Sequence, residues 1–225
     1  MSRIKELFES PRAFGALAFA LVLIVQLPFA NDDFDVGFES MIGGRFQGPI
    51  QRAWLTGGFL ELGARPMLSP LPTIPPTGKT YASHPPLAHW LFHLPVSVFG
   101  LSEFSLRLIP ILCSALAAFL LSAFMANKLG PFAGFASAAL WASTPMAFFY
   151  GRMANYESIV FVLSLGACLL IRGDTKRYTV LASISIGLAT FTDWAGGFFL
   201  PGIAIICWHS KFGWRPIIGT AAAIG

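Results

Sequence analysis

Charged residues are scarce in this 225-residue sequence: they make up 12% of the chain, and hydrophobic residues make up 55%. A soluble domain carries about 25% charged residues, so the deficit excludes intrinsic disorder and disfavours a soluble domain. The net charge of +4 comes from basic residues scattered singly between apolar runs, so we expect no nucleic-acid partner. The three cysteines have neither CxxC nor Cys/His ligand spacing, and they indicate neither a disulfide framework nor a zinc site.

The sequence contains several long apolar runs. The first, residues 13–30, follows basic residues and lacks the small residue expected before a cleavage site, so it predicts an uncleaved first span with a cytoplasmic amino terminus. We expect residues 216–225 to be the start of a truncated span, and residues 1–225 to be the amino-terminal part of one longer membrane-embedded domain. About five further spans are predicted within residues 108–209, at 108–126, 132–150, 159–171, 178–191 and 196–208.

A long outer loop, residues 31–107, separates the first two predicted spans. Residues 47–63 have apolar side chains at helical spacing and predict a surface amphipathic helix, and residues 66–76 are rich in proline. The apolar segment 85–101 admits two readings. If this segment is an interfacial helix, every cytoplasmic loop is basic. If it spans the membrane, later basic loops face the outside instead, so the positive-inside rule favours the interfacial helix.

The sequence therefore predicts an all-α fold, a polytopic transmembrane helical bundle whose long outer first loop carries interfacial helices. We expect a multi-pass integral membrane protein of a bacterial inner membrane. Most of the acidic side chains fall on the outer face in this topology, although acids contribute little to the positive-inside rule. Any chemistry is therefore expected on the outer face.

An acidic cluster lies where the first span should emerge from the bilayer. Asp32, Asp33 and Asp35, followed by Glu39, can be read as a solvated cap that ends the helix. They can also be read as a general base or as ligands of a divalent cation, because carboxylates accept protons and bind hard cations. Their spacing does not choose between these readings, and it does not match a calcium loop.

Histidine and proline residues mark the start of the segment 85–101. Pro85 and Pro86 fix the chain there and leave His84 just outside the predicted helix. His89 and His93 are four residues apart and share a helix face, a spacing compatible with metal binding. Because no third ligand is at hand and the aromatic neighbours are typical of a membrane interface, packing is the favoured role of this pair.

Several motifs in order carry a resemblance to a known family. HPPL at 84–87 precedes FGLSE at 99–103 and RLIP at 107–110, and GRMANYE at 151–157 and TDW at 192–194 follow. Together they resemble the protein O-mannosyltransferase and aminoarabinose-transferase superfamily, which is glycosyltransferase family 39-like. The resemblance implies a GT-C fold, a lipid-bilayer setting and transfer of a sugar from a polyprenyl-phosphate donor to an acceptor on the non-cytoplasmic face. The identity of the acceptor stays open.

The sequence departs from the family where its catalytic acidic pair usually stands, because Gln47 and Gly48 occupy that position and cannot act as a base. The base is then expected among the nearby acids, with Asp33 or Asp35 first and Asp32 and Glu39 next. An arginine at a span end can hold a phosphate bidentately, and an ionisable group near the membrane is a functional candidate by default. For substrate binding we therefore expect His84, Arg107, Arg152, Glu157 and Asp193.

We expect the chemistry to need no cofactor, and a requirement for a divalent cation stays open. The alternative function is that of a transporter or lipid-binding membrane module without catalysis. The missing acidic pair favours this alternative, whereas the gathering of charges on one face, away from the bilayer midplane, disfavours it.

Overall fold

The computed structural model describes residues 10–34, 40–68, 80–171, 176–208 and 218. Within these ranges the chain is helical and has no β-strand, and an isolated bridge joins Met67 to Thr80. A 3₁₀ turn at Leu27–Phe29 and a π-helix at Ser40–Gln47 accompany the α-helices. In chain order the α-helices are α1 (Pro11–Gln26), α2 (Gly48–Gly57), α3 (Leu87–Phe99), α4 (Glu103–Leu129), α5 (Pro131–Ser143), α6 (Pro145–Arg152), α7 (Glu157–Ile171), α8 (Lys176–Thr192), α9 (Ala195–Phe198) and α10 (Leu200–Trp208).

Two helices in the described part of the chain are long and apolar enough to cross a membrane: α4, and α1 together with its 3₁₀ extension. The bent pair α5 and α6 makes a third if it counts as one span. α3, α7, α8 and the segment from α9 into α10 are apolar but shorter than a full crossing. The all-α membrane fold is thus confirmed, and the larger number of spans stays a prediction.

Small residues line the contact between α1 and α4, which run antiparallel. They allow close approach of the two backbones, which matters in a bilayer because lipid is as apolar as the helices themselves. One end of the bundle carries Arg12 and Lys128, which line one cavity, and the other end carries Asp32 and Arg152, which form an ion pair. We call these the Arg12 end and the Asp32 end. The buried cluster between the helices consists of Ala18, Val22, Ala115, Ala118 and Ala138.

Two spans have boundaries that differ from the predicted ones. α4 begins at Glu103 rather than at 108, because Ser102 and Ser105 cap it reciprocally with backbone-to-hydroxyl bonds of 3.2 and 3.0 Å. Arg107 therefore lies inside the helix, not in the loop. The predicted span 132–150 is broken at Thr144, where α5 and α6 meet at 65°. Thr144 is extended (φ −71°, ψ 122°), as expected for a residue that precedes a proline.

The outer loop also differs from its prediction. The helix predicted at 47–63 is shorter: α2 ends at Gly57, because Gly58 takes a positive φ of 82° that favours glycine, and a series of turns follows. The helix predicted within 85–101 is confirmed as α3, which packs against α2, α4 and α8. Residues 69–79, which include most of the proline-rich stretch, lie outside the described residues, as do 216–217 and 219–225 of the predicted last span.

Candidate active site

Arg107 holds the turn that follows α1. Its guanidinium is fully buried, and Nη1 donates to the carbonyl oxygens of Ala30, at 3.2 Å, and of Asp32. The same group lies 4.4 Å from the centre of the Phe34 ring, a cation–π distance. Gly43 leaves room for this ring, because a Cβ at Gly43 would lie 2.8 Å from it. Arg107 thus fixes the backbone that presents the first acidic residues.

Arg152 brings a second guanidinium to the same turn from the end of α6. Its Nη1 lies 3.4 Å from Oδ2 of Asp32, and the two side chains are 14% and 53% exposed, respectively. The guanidinium also lies over the rings of Phe29 and Phe148, at 5.4 and 4.9 Å from their centres. Nε of Arg152 is buried without a hydrogen-bond partner among the described residues. This arginine is therefore partly exposed and not fully bonded.

The predicted acids are distributed unevenly around the arginines. Asp32 meets Arg107 through its backbone and Arg152 through its carboxylate. Asp33 is exposed beside it. Asp35 and Glu39 lie outside the described residues, so their roles stay predictions from the sequence.

Glu157 lies a short way along the chain, at the first turn of α7. Its Oε1 accepts a 2.7 Å hydrogen bond from Nδ2 of Asn155. Its Oε2 and the Oδ1 of Asn155 are buried without a partner among the described residues. Glu157 also lines a cavity of about 530 Å³ under the bend between α5 and α6, together with Ser114, Trp141, Thr144, Met146, Ala147, Tyr150, Gly151 and Ser158.

Gly151 keeps this region tightly joined to α1 and α4. A Cβ at Gly151 would lie 2.6 Å from both Nε2 of Gln26 and Oγ of Ser114, closer than side chains tolerate. Gln26 is buried in α1 and donates to the backbone oxygen of Ala147 at 3.2 Å. The start of α6 is thereby tied to the end of α1, which keeps Arg152 near Asp32.

His84 and Asp193 form a second polar group on the other side of Tyr156. Nε2 of His84 lies 3.7 Å from Oδ1 of Asp193, and Nδ1 lies 2.5 Å from the Tyr81 hydroxyl. The His84 ring stacks on Tyr156 at 4.8 Å between centres. Burial raises the pKa of the Tyr156 phenol, and its hydrogen bond with Tyr81 and the nearby charges of Asp193 and Glu157 raise it further. Tyr156 therefore stays protonated as a hydrogen-bond donor between the two polar groups.

Two glutamine–histidine pairs, which the sequence reading missed, join the outer-loop helices. Nδ1 of His89 donates to Oε1 of Gln47 at 2.9 Å, and Nδ1 of His93 lies 2.9 Å from Oε1 of Gln51. Gln51 also donates to the backbone oxygen of His89 at 3.0 Å. Gln47 and His89 are fully buried. The only signal for this pairing in the sequence is the shared four-residue spacing of the two glutamines and the two histidines.

The electrostatics of these histidines fit a structural role. Burial lowers the pKa of His89 to about 3, with a smaller contribution from His84, so His89 is neutral near pH 7. The Nδ1 atoms of both histidines are engaged by glutamines. Within the described ranges, no group of three or more His, Cys, Asp or Glu side chains is arranged to hold a metal ion.

The fold and the polar residues around Arg152 and His84 together define an all-α integral membrane protein with a group of ionisable side chains at one end of its apolar helices. A family model described as dolichyl-phosphate-mannose-protein mannosyltransferase matches residues 83–223, and the chain belongs to this family. It is accordingly a mannosyltransferase-like membrane glycosyltransferase of the GT-C type. Comparison with curated proteins and with solved structures gave no match.

Proposed function

We propose that this protein transfers a sugar from a polyprenyl-phosphate donor to an acceptor at the Asp32 end, on the non-cytoplasmic face. The observation that carries this proposal is the Arg152–Asp32 ion pair at the end of the bundle, beside an apolar cavity. The pair offers a cation for a lipid-linked phosphate and a carboxylate for the attacking hydroxyl. The positive-inside rule supports this side of the membrane, since Arg12 and Lys128 lie at the opposite end.

Arg152 is the proposed ligand of the donor phosphate. Its guanidinium is partly exposed and bonds Asp32 through one nitrogen at 3.4 Å, which is a long contact for a charge-assisted bond. A phosphate offers several oxygens to the guanidinium fork and supports a bidentate, stronger interaction. Arg107, whose guanidinium donates to two backbone carbonyls, acts in this proposal as a positioning residue.

Asp32 is the proposed base. When the donor phosphate takes over Arg152, the Asp32 carboxylate loses its counter-ion and is able to accept a proton. The acceptor oxygen then bonds to the anomeric carbon, and the bond from that carbon to the phosphate oxygen breaks. The electron pair leaves with the polyprenyl phosphate, and the acceptor proton passes to Asp32. Asp33 is the neighbouring candidate, and Asp35 and Glu39 keep their place as candidates from the sequence.

The surroundings of the ion pair have a use in the same scheme. The cavity under the α5–α6 bend has mostly apolar walls, which suit an isoprenoid chain. Asn155 and Glu157 have oxygen atoms without partners among the described residues, and such acceptors suit sugar hydroxyls. We assign His84 and Asp193 to binding of the acceptor. The scheme needs no resident cofactor or metal ion.

The test is sugar transfer in membranes that contain the full-length protein, from labelled polyprenyl-phosphate donors, with product analysis to identify sugar and acceptor. Asp32→Asn should lower turnover roughly 10²- to 10⁴-fold, the usual range for loss of a general base. Arg152→Gln should mainly raise the KM for the donor. Glu61→Gln and Arg52→Gln remove charges from exposed outer-loop positions and should leave transfer unchanged.

Three results would contradict this scheme. Full activity of both Asp32→Asn and Asp33→Asn would remove the proposed base, and loss of activity in EDTA would show that a metal ion is needed. Solute flux in proteoliposomes without any sugar transfer would support the transporter alternative.

A further inference from the structure

A second cavity, of about 880 Å³, lies at the Arg12 end among α1, α4, α7 and α8. Its volume is within the range of cavities that bind small molecules. Arg107 and Lys128 mark the opposite ends of α4, and 21 residues at about 1.5 Å each separate them by roughly 30 Å. The cavity is therefore far from the candidate active site, and the proposed transfer does not use it. Its apolar walls are formed by Pro11, Leu120, Ala123, Phe124, Gly166, Leu169 and Leu170.

The rim of this cavity is basic. Arg12 and Lys128 line it, and both are exposed. Asn127 and Tyr178, also exposed, add neutral hydrogen-bonding groups. The residues that line the cavity include no Asp or Glu. Two cations thus stand at the mouth of an apolar space in a membrane protein.

We propose that this cavity binds an anionic phospholipid of the adjacent leaflet. The lipid phosphate lies between Arg12 and Lys128, and an acyl chain follows the wall formed by Leu120, Phe124 and Leu169. Any lipid tail suits the apolar walls, so the two cations are the features that select the charge of the headgroup. Basic pockets between membrane helices recognise anionic headgroups in this way, and a basic residue near a membrane surface contributes about fivefold in affinity.

Lipid binding to the purified full-length protein in neutral detergent tests this proposal. Native mass spectrometry of titrations with phosphatidylglycerol and phosphatidylcholine compares the two headgroups on similar tails. We expect phosphatidylglycerol to bind roughly 25-fold more tightly, as two cations would require. Arg12→Gln and Lys128→Gln should each lower this preference about fivefold, and the double variant should abolish it. Arg52→Gln, at an exposed outer-loop position, is the matched charge control.

A steric variant tests the cavity without altering its charge. A Cβ at Gly166 would meet nothing within 4 Å, so Gly166→Leu extends into the cavity and should displace the acyl chain. Gly187→Leu, at an equally open position in α8 that does not line the cavity, is the control. Equal thermal midpoints of the two variants in lipid-free detergent would establish that both are folded.

Some outcomes would overturn the proposal. Equal binding of the two lipids by the wild-type protein would exclude charge selection. An unchanged preference in the double variant would remove the assigned cations. Full competition by millimolar inorganic phosphate would identify a site for a free anion rather than for a lipid. None of these results depends on sugar transfer, so each can be distinguished from a failure of the proposed function.

Discussion

Replacing Arg107 by methionine separates a positioning role from a substrate-binding role for this residue. The buried guanidinium donates to the carbonyl oxygens of Ala30 and Asp32. Methionine keeps much of the length and apolar character of the side chain, but it leaves both oxygens without this donor. The bond to the Ala30 oxygen is buried and the bond to the Asp32 oxygen is part-buried. A buried oxygen that loses its donor costs about 1–3 kcal/mol, and a part-buried oxygen can be solvated instead, so Arg107→Met should lower the free energy of unfolding by about 2 kcal/mol. Arg107→Lys keeps the charge but loses the fork, and its loss should be smaller.

The assay combines thermal unfolding in detergent with sugar transfer by the same preparations. If Arg107 positions the turn, Arg107→Met should lower both the thermal midpoint and kcat, because the Asp32 carboxylate is no longer held opposite Arg152. The substitution Asp32→Asn leaves the backbone carbonyl in place, so its effect on the thermal midpoint should be small. Asp32→Asn should lower kcat alone.

The opposite pattern would refute this reasoning. If Arg107→Met raised the KM for the donor and left kcat and the thermal midpoint unchanged, then Arg107 would be a phosphate ligand. The double variant with Asp32→Asn provides a second check. Its loss of unfolding free energy should be smaller than the sum of the single losses, because Arg107→Met already releases the Asp32 carboxylate from Arg152 and residues in contact are not independent.

Two further predictions concern the packing around this turn and the outer loop. Gly43→Ala puts a Cβ against the Phe34 ring and should destabilise the protein by about 1–3 kcal/mol in thermal unfolding. Gly48→Ala is the control, because its Cβ has ordinary contact distances and should not destabilise the protein. Equal thermal midpoints of the two variants would contradict this packing. Burial lowers the pKa of His89 from 6.5 to about 3. Between pH 6.5 and pH 3, His89 therefore binds a proton in the unfolded chain but not in the folded chain. The contribution of His89 to stability is complete above pH 6.5 and should fall towards pH 3 by at most about 1.4 kcal/mol per pH unit. His89→Gln should flatten that slope, and an unchanged slope would show that His89 does not cause it.

The helices of the bundle could be predicted from the apolar runs, but their ends could not. The start of α4 depends on Ser102 and Ser105, a pair without the usual acidic partner of a capping box. The break at Thr144 depends on Pro145, because the residue before a proline avoids helical geometry. Both signals are local and weak compared with the hydrophobicity of the flanking segments. The predicted span at 108–126 was therefore too short at its start, and the predicted span at 132–150 ran across the break.

The candidate site could be predicted only in part, for a different reason. The arginines and acids at the outer ends of spans were predicted from charge and motif, but their partners are distant in sequence. Gln47 stands where an acid was expected, and its bond to His89 spans 42 positions. The pairing of His84 with Asp193 likewise depends on how α8 returns to α3. Such contacts follow from the packing of helices, which single-sequence patterns do not specify.

The ion pair between Asp32 and Arg152 joins residues 120 positions apart, and this separation sets an order of assembly during synthesis. At about 5–20 residues per second, Arg152 is made roughly 6–24 s after Asp32. The turn that contains Asp32 is therefore made before both of its arginine partners. Arg107 follows with α4, and Arg152, the counter-ion of Asp32, follows with α6. A ribosome that stalls before residue 152 leaves a chain whose first helices are inserted but in which the carboxylate of Asp32, the proposed base, lacks its ion-pair partner Arg152. The proposed phosphate site therefore forms only after α6 has been made, and a chain that lacks α6 lacks the arginine assigned to the donor phosphate.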